Sequence, residues 1–426
     1  MRERLVVMNK KVEFVIELGR LLLQSGAETY RIEESMERCG TAFGLKKLEA
    51  YATTSVVMLT YYDDKDDQKS HFTRIRERDL DLEKITLLND LSRRVSCKRI
   101  SPEEAYKQLK KIEESSSSIS FGITTFIAGI NGALIALLNN SGPLEAMMAF
   151  IVVVLTFVII RKIKVEQVLF FKEMSIGMIG ATLAVLLYYV IPFNIAPVII
   201  GLMLIAIPSI QMVNAVRDLS SGDLTSGALR GLEAAGLTVA LFSGVGIVLS
   251  LSKVPFQEGY SSLMAVNPVK AAILAIMIAL LFNIFLKSPM KSLPFTALAS
   301  FLGLVSFLFF GKIGFSLTAS VFCGALAVAI TCEFSARICK IPTTAFIVAG
   351  FVPLLPGLWF YKSMSLLVVG DLAGYIEPLT QGTAIILAIG FSAAIATVFF
   401  RKFLNNLTFF RKRQCDVHEN SSKSLS

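Results

Sequence analysis

GLMLIAIPSIQMVNAVRDLSSGDLTSGALRGLEAAG, residues 201–236, decides the class of this chain. An apolar run meets Pro208, passes Gln211 and Asn214, and ends in Arg217, Asp218, Gly222 and Asp223. A second apolar run follows at once. A soluble core helix seldom packs an Asn, an Arg and two Asp between two segments of membrane-grade hydrophobicity. In a bilayer the pattern has a reason: Pro and Gly release backbone groups, which are tolerated only beside protein or a watery cavity. A distorted copy, AGFVPLLPGLWFYKSMSLLVVGDLAG, occupies 349–374. With Pro208 laid over Pro353, Arg217 falls on Lys362, and Gly222–Asp223 matches Gly370–Asp371 after a three-residue insertion. Two broken, charged segments at corresponding places in two halves are the sequence pointer to a membrane transporter's substrate site.

The 426 residues are 54% hydrophobic and only 18% charged, which excludes an ordinary globular protein. Residues 1–118 hold 22 Lys/Arg and 21 Asp/Glu; the other 308 hold 20 and 12, and so carry nearly all of the net +9. A soluble head precedes a membrane body. The basic excess reflects membrane topology, because no basic stripe with interleaved aromatics marks a nucleic-acid surface. Six cysteines form no CxxC pair and no metal site, and are expected as reduced thiols of a cytosol-facing protein. The N-terminus lacks the apolar core of a cleavable signal peptide.

The head reads as α+β. Apolar spacing predicts helices over 8–24 and 27–43, the latter burying Tyr30, Ile32, Met36 and Phe43. YATTSVVMLTYY (51–62) reads as one strand, DDKDD as a turn, and KSHFTRI as the returning strand. Two more helices follow, over 82–97 and 102–113, and Ser115–Ser118 form a polar joint. His71 is a surface or packing residue on this reading, and DDKDD lacks the Gly and distal Glu of a calcium loop. RIRERDLDLEK (74–84) is a solvated helix start in preference to an anion-binding surface.

The body holds ten stretches long enough to span a bilayer: 119–138, 144–160, 173–191, 195–214, 228–250, 268–286, 293–310, 315–335, 343–361 and 380–400. With the head inside, 16 basic residues fall on the inner side, Arg217 and Arg230 among them. Four fall outside: Lys253, Lys270, Lys312 and Lys362. Both termini are therefore expected in the cytosol. Five spans then start inward and five outward, so Pro208 and Pro353 lie in the fourth span of each half and run in opposite senses. The expected architecture is an α-helical polytopic membrane protein with a 5+5 inverted repeat. Its parts are a cytosolic α+β head (1–118), two five-helix halves (119–252 and 265–403) and a cytosolic basic tail (404–426).

LLLQSGAETYRIEESMERCGTAFGL, RIRERDLDLEKITLLNDLSRRV and IPSIQMVNAVRDLSSGDLTSGALRGLEA resemble the N-terminal half of the threonine/serine exporter family. RICKIPTTAFIVAGFVPLLPGLWFYKSM resembles its C-terminal half, and the likeness runs over residues 10–400. In many bacteria the two halves are separate genes, and one such pair is associated with succinate export. The resemblance implies a cytosolic N-terminal domain, about ten spans, and export of small polar acids or amino acids driven by an ion gradient; the expected location is the plasma membrane. The chain departs from the family where Ile210–Gln211 stands in place of a Pro-Gly pair like Pro356–Gly357.

Threonine, serine and short dicarboxylates all present a carboxylate. A fixed cation, Arg217 or Lys362, can receive it, as can the N-terminus of a broken half-helix at Pro208, Pro353, Pro356 and Gly357. Asn131, Gln211, Asn214 and Asn283 offer hydrogen bonds to its amino or hydroxyl group. Asp218, Asp223, Glu233 and Asp371 are the candidate proton-coupling carboxylates, with a sodium ion as the competing scheme. Plainer roles stand beside these. Arg217, Asp218 and Asp223 can form an ordinary inner loop, Glu233 can pair with Arg230, Glu333 can pair with Arg337, and Asn131 and Asn283 can join helices. Gly177, Gly180, Ala181 and Ala184 read as a packing stripe. The leading reading is a proton-coupled exporter of threonine and serine, with a dicarboxylate exporter such as one for succinate next. A membrane-anchored hydrolase working through the head is the rival from another class, and it lacks a nucleophile–base set. The partners are a small-molecule substrate, the lipid bilayer, and a proton or sodium gradient, with a homo-oligomer left open. No nucleic acid, cofactor or metal is called for.

Overall fold

The computed structural model describes residues 2–63, 65–75, 80–115, 119–163, 170–252, 254 and 266–405, with side chains from residue 10 to 400. The joint at 116–118, most of the link at 253–265 and the tail beyond 405 lie outside the described residues. Contacts divide the chain into two compact units. One comprises 1–116, 218–226 and 394–426; the other comprises 117–217 and 227–393.

In the first unit, α1 (Arg2–Gln24) and α2 (Thr29–Ala42) precede a meander of β1 (Lys46–Ala52), β2 (Val56–Tyr62) and β3 (Gln68–Arg74), and then α3 (Leu82–Ser96) and α4 (Pro102–Glu114). The single strand expected over 51–62 is in fact two. Thr53 explains the break: its N–H donates to the Val56 carbonyl at 2.8 Å, and its hydroxyl accepts from the N–H groups of Ser55 and Val56. A β-branched run that looks like strand thus closes a hydroxyl-stabilised turn. The sheet is antiparallel in the order β1-β2-β3. Val57 and Leu59 of β2 are buried with Phe14, Leu18 and Leu22 of α1, Ile32 and Met36 of α2, and Leu88 and Leu91 of α3. Tyr30 is only half-buried. Asp81 accepts from Lys84 N–H at 2.9 Å, so the described end of the charged stretch is a helix cap. His71 is exposed and stacks on Tyr61 at 5.9 Å.

Asp63 accepts from the N–H groups of Lys65 and Asp67, closing the acidic turn. Among the described residues five cysteines are free, and no group of acids, histidines or cysteines is placed to hold a metal. Burial pushes the Cys39 thiol up to about 11, which keeps it protonated.

The body has α5 (Phe121–Leu138), α6 (Pro143–Ile163), α7 (Phe171–Val190), α8 (Ile195–Ala206), α9 (Ser209–Ser220) and α10 (Leu224–Leu251). After the link come α11 (Pro268–Phe285), α12 (Leu293–Lys312), α13 (Leu317–Cys339), α14 (Thr344–Phe351), α15 (Gly357–Val369) and α16 (Ile376–Asn405). Among the described residues eight helices are long and apolar enough to cross a bilayer, and ten spans result if each of two bent pairs counts as one. The chain is a multi-pass α-helical membrane protein with a small three-stranded sheet near its N-terminus. The bent pairs are α8–α9, at 50°, and α14–α15, at 54°. These are the two stretches in which sequence placed broken helices.

Close helix packing accounts for the small residues of α7. A side chain at Gly177 would strike the Leu241 backbone carbonyl, one at Gly180 would strike Leu202, and Ala181 and Ala184 are fully buried. Asn283 donates to the hydroxyls of Ser292 (2.8 Å) and Thr296 (2.9 Å). With its amide oriented to suit its neighbours, Asn131 donates to the Ile278 carbonyl and accepts from Phe282 N–H, both at 3.2 Å. Both asparagines therefore join helices. Arg217 and Arg230, counted above as inner-loop charges, lie in helices and are 2% and 3% exposed. Lys362, counted as outer, is a residue of α15. Without these three the basic imbalance keeps its direction.

Candidate substrate site at the two helix breaks

Proline creates the first break. It has no N–H to continue the ladder, and the chain turns at Ile207–Pro208, where Ser209 N–H donates back to the Ile207 carbonyl at 2.7 Å. The second break uses two prolines. Pro353 sits in a single tight turn, Val352–Leu354, and Pro356 is the residue before α15. α8 packs against α15. A Cβ on Gly357 would lie 2.8 Å from the Leu204 side chain, so a larger residue there would press the breaks apart. Pro208, Pro353, Pro356 and Gly357 are all buried.

Two small voids flank Leu355. The larger, about 80 Å³, is walled by Asn139, Leu204, Pro353, Pro356, Trp359 and apolar neighbours. The other, about 30 Å³, is walled by Ser209, Met212, Val216, Phe351 and Gly390 among others. Together they hold a few waters, far below the roughly 300–1,000 Å³ of a ligand pocket.

Arg217 is the largest side chain that the fold buries almost completely. Its Nη2 donates to Glu333 Oε1 at 2.8 Å, and the two side chains are 2% and 7% exposed. Arg337, one turn along α13, donates through Nη1 to Glu333 Oε2 at 3.0 Å and to the Glu333 carbonyl at 2.6 Å. The pairing of Glu333 with Arg337 was legible from the i, i+4 spacing; its second partner was not. A lone carboxylate in an otherwise apolar helix was the available signal. Asn214 is buried, and Gln211 and Glu233 are half-buried. Lys362 is half-buried, with its ammonium 5.9 Å from the Trp359 ring. Arg217 and Lys362, equivalent in the sequence alignment, thus have different neighbours.

The helix ends that follow match closely. After α9, Gly222 (φ +92°) donates to the Leu219 carbonyl at 3.1 Å, and Asp223 N–H donates to the Asp218 carbonyl at 3.0 Å. After α15, Gly370 (φ +87°) and Asp371 do the same to Leu367 and Leu366, at the same distances. This is a left-handed glycine cap. Each Asp then accepts a backbone N–H three residues on: Asp223 from Ser226 at 3.1 Å, and Asp371 from Gly374 at 2.8 Å. Asp223 is half-buried and Asp371 exposed.

Within the first unit, Asp218 Oδ1 accepts from Thr29 N–H at 3.2 Å, and Asp218, Glu28 and Thr29 are wholly buried. Thr29 in the head and Asp218, far apart in sequence, therefore meet. Burial, with the nearby charge of Asp223, holds the Glu33 carboxyl above its ordinary range against a hydrogen bond from Ala52 N–H.

Family models now give this geometry a context. A threonine/serine exporter model matches residues 13–252, and a second, described as "Threonine/Serine exporter, ThrE", matches residues 271–399. The chain belongs to the threonine/serine exporter family. The threonine/serine exporter of Corynebacterium glutamicum is 23% identical over 82% of this chain and 73% of its own length. The Escherichia coli K12 protein named "Probable succinate transporter subunit YjjP" is 26% identical over 56% of this chain and 92% of its own length. A Klebsiella aerogenes protein of the same name is 23% identical over 55% and 92%. The exporter family's two matched regions contain one bent pair each. No solved structure matches the chain.

Proposed function

We propose that this chain is a secondary active exporter of threonine- and serine-like amino acids, working by alternating access at the paired helix breaks. The observation that carries the reading is the contact of α8 with α15 at two bent pairs, in a chain of the exporter family. Arg217 and Lys362 receive the substrate carboxylate, together with the positive N-terminal ends of the half-helices that start at Pro208, Pro353, Pro356 and Gly357. Asn214 and Gln211 bond its hydroxyl or ammonium. The matched glycine caps at Gly222–Asp223 and Gly370–Asp371 support reading the halves, 119–252 and 265–403, as an inverted repeat. Asp223, Asp371, Asp218 and Glu233 are the carboxylates from which a proton-coupling group is drawn. The basic imbalance supports a plasma-membrane topology with the 1–118 head and the tail in the cytosol. The names of the E. coli and Klebsiella relatives favour a dicarboxylate such as succinate as the second reading.

Counterflow with labelled threonine, serine and succinate in proteoliposomes, with and without a proton gradient, tests this. Uptake of threonine or serine that responds to the gradient is expected. Vesicles inert toward all three would refute an exporter.

A further inference from the structure

Resting on that reading, we propose that Leu355 is the partition of the transport path, and that the bulk of its side chain sets the size of amino acid that passes. Among the described residues, Leu355 is the one that walls both voids at the helix breaks. It is also the exception in its segment. From 341 to 357 every residue is buried except Leu355, which is half-buried. Accessible surface in an otherwise sealed stretch belongs to a side chain that borders empty space, and the two voids are that space. The backbone holds the side chain there. Leu355 lies between the tight turn Val352–Leu354 and α15, extended at φ −67° and ψ 141°. Its N–H donates to the Val352 carbonyl at 3.2 Å, and its own carbonyl accepts from Gly357 N–H at 3.0 Å. Pro353 has a fixed φ, and Pro356 confines the residue before it to the extended region, so the chain has little freedom to swing Leu355 aside.

The two voids lie toward opposite faces of the proposed topology. The first reaches Asn139, just after α5, and Leu317, the first residue of α13, both on the side that the basic imbalance assigns to the outside. The second reaches Ser209 and Met212 of α9, the half-helix that leads to the inner loop. A solute moving from one void to the other passes residue 355. Each void has a polar group in its wall, Asn139 or Ser209, whereas the partition between them is aliphatic. An apolar constriction of this kind discriminates by bulk and shuts out water and ions when nothing fills it. One methylene in an apolar site is worth about 10–200-fold in discrimination, enough to separate threonine and serine from amino acids with longer side chains.

The test is counterflow of labelled threonine and labelled leucine through the full chain in proteoliposomes, for wild type, Leu355→Ala, Leu355→Val, Leu355→Trp and Val348→Ala. The wild type is expected to prefer threonine, and Leu355→Ala to shift the threonine-to-leucine ratio of kcat/KM toward leucine by about tenfold or more. Leu355→Val, the milder truncation, is expected to shift it the same way by less, and it serves if the alanine variant fails to fold. Leu355→Trp is expected to elute as wild type does while carrying neither amino acid. Val348→Ala enlarges only the second void and leaves the partition in place, so it is expected to keep the wild-type ratio. An unchanged ratio in truncated proteins that elute as wild type overturns the assignment, as does wild-type threonine counterflow through Leu355→Trp or an equal shift in Val348→Ala. Wild-type vesicles inert toward both amino acids would instead overturn the reading as an amino-acid exporter, and the assignment with it.

Discussion

Asp218 offers the sharpest test of how the first unit is held together. Helix α2 begins after Glu28, whose own side chain makes no cap hydrogen bond. Its positive end is served instead from 189 residues away, by Asp218 Oδ1 at 3.2 Å from Thr29 N–H, with both residues fully buried. A hydrogen bond to a charged acceptor contributes about 1.5–3 kcal/mol, and a carboxylate at a helix N-terminus adds a few tenths to about 1 kcal/mol. The 3.2 Å length argues for the lower part of that range, about 2 kcal/mol in all. Asp218→Ala should therefore raise the opening of the first turn of α2 about thirtyfold, at tenfold per 1.4 kcal/mol. Asp218→Asn, which keeps a neutral acceptor, should raise it about fivefold. Hydrogen–deuterium exchange of α2 peptides in the full-length protein reads both, with peptides of α4 as an internal reference. Exchange of α2 within about twofold of wild type in Asp218→Ala would show that the remote carboxylate is not the cap. Equal acceleration in α2 and α4 would show that the substitution unfolds the unit as a whole.

The other predictions concern the breaks and the head. Lys362→Ala should abolish counterflow while the protein still inserts, and normal efflux from that variant would remove Lys362 from the site. Asp223→Asn and Asp371→Asn retain an acceptor for Ser226 and Gly374 N–H, so each deletes charge while sparing the cap. Either should alter the pH dependence of efflux, and an unchanged profile in both would exclude them from gradient coupling. Gly201→Ala would bring a Cβ within 2.6 Å of the Gly132 carbonyl oxygen, a backbone atom that cannot rotate away. Such overpacking costs about 1–3 kcal/mol, and an unchanged melting temperature in detergent would contradict it. A hydrogen bond from Lys110, joined by Arg20, holds the Glu113 carboxyl below its ordinary value. Its stabilisation is therefore present above that ordinary value and lost as pH falls through the lowered one. Glu113→Gln should flatten the acid limb of melting temperature against pH, and an identical limb would refute the pairing.

The body was more legible than the head because hydrophobicity in a membrane chain is a one-variable signal, whereas a short strand is not. Every expected span falls on a helix or a bent pair, since twenty apolar residues admit few other structures. The run at 51–62 misled because Thr53, Thr54 and Ser55 carry the side chains of a strand, yet Thr53 can also fold its hydroxyl onto the next amides. β1 itself, KKLEAYA, has the composition of a helix and gave no warning. The candidate site divides in the same way. Pro208, Pro353, Pro356 and Gly357 announce themselves because proline and glycine act through the backbone of their own segment. Arg217 announces itself as a charge, but a guanidinium pairs through space. Nothing between residues 217 and 333 marks their meeting, and nothing between 29 and 218 marks the cap. The local grammar of a membrane chain thus gives the places where its helices break. Which charges meet depends on tertiary packing, and that packing turned Arg217 from a loop anchor into a buried partner of Glu333.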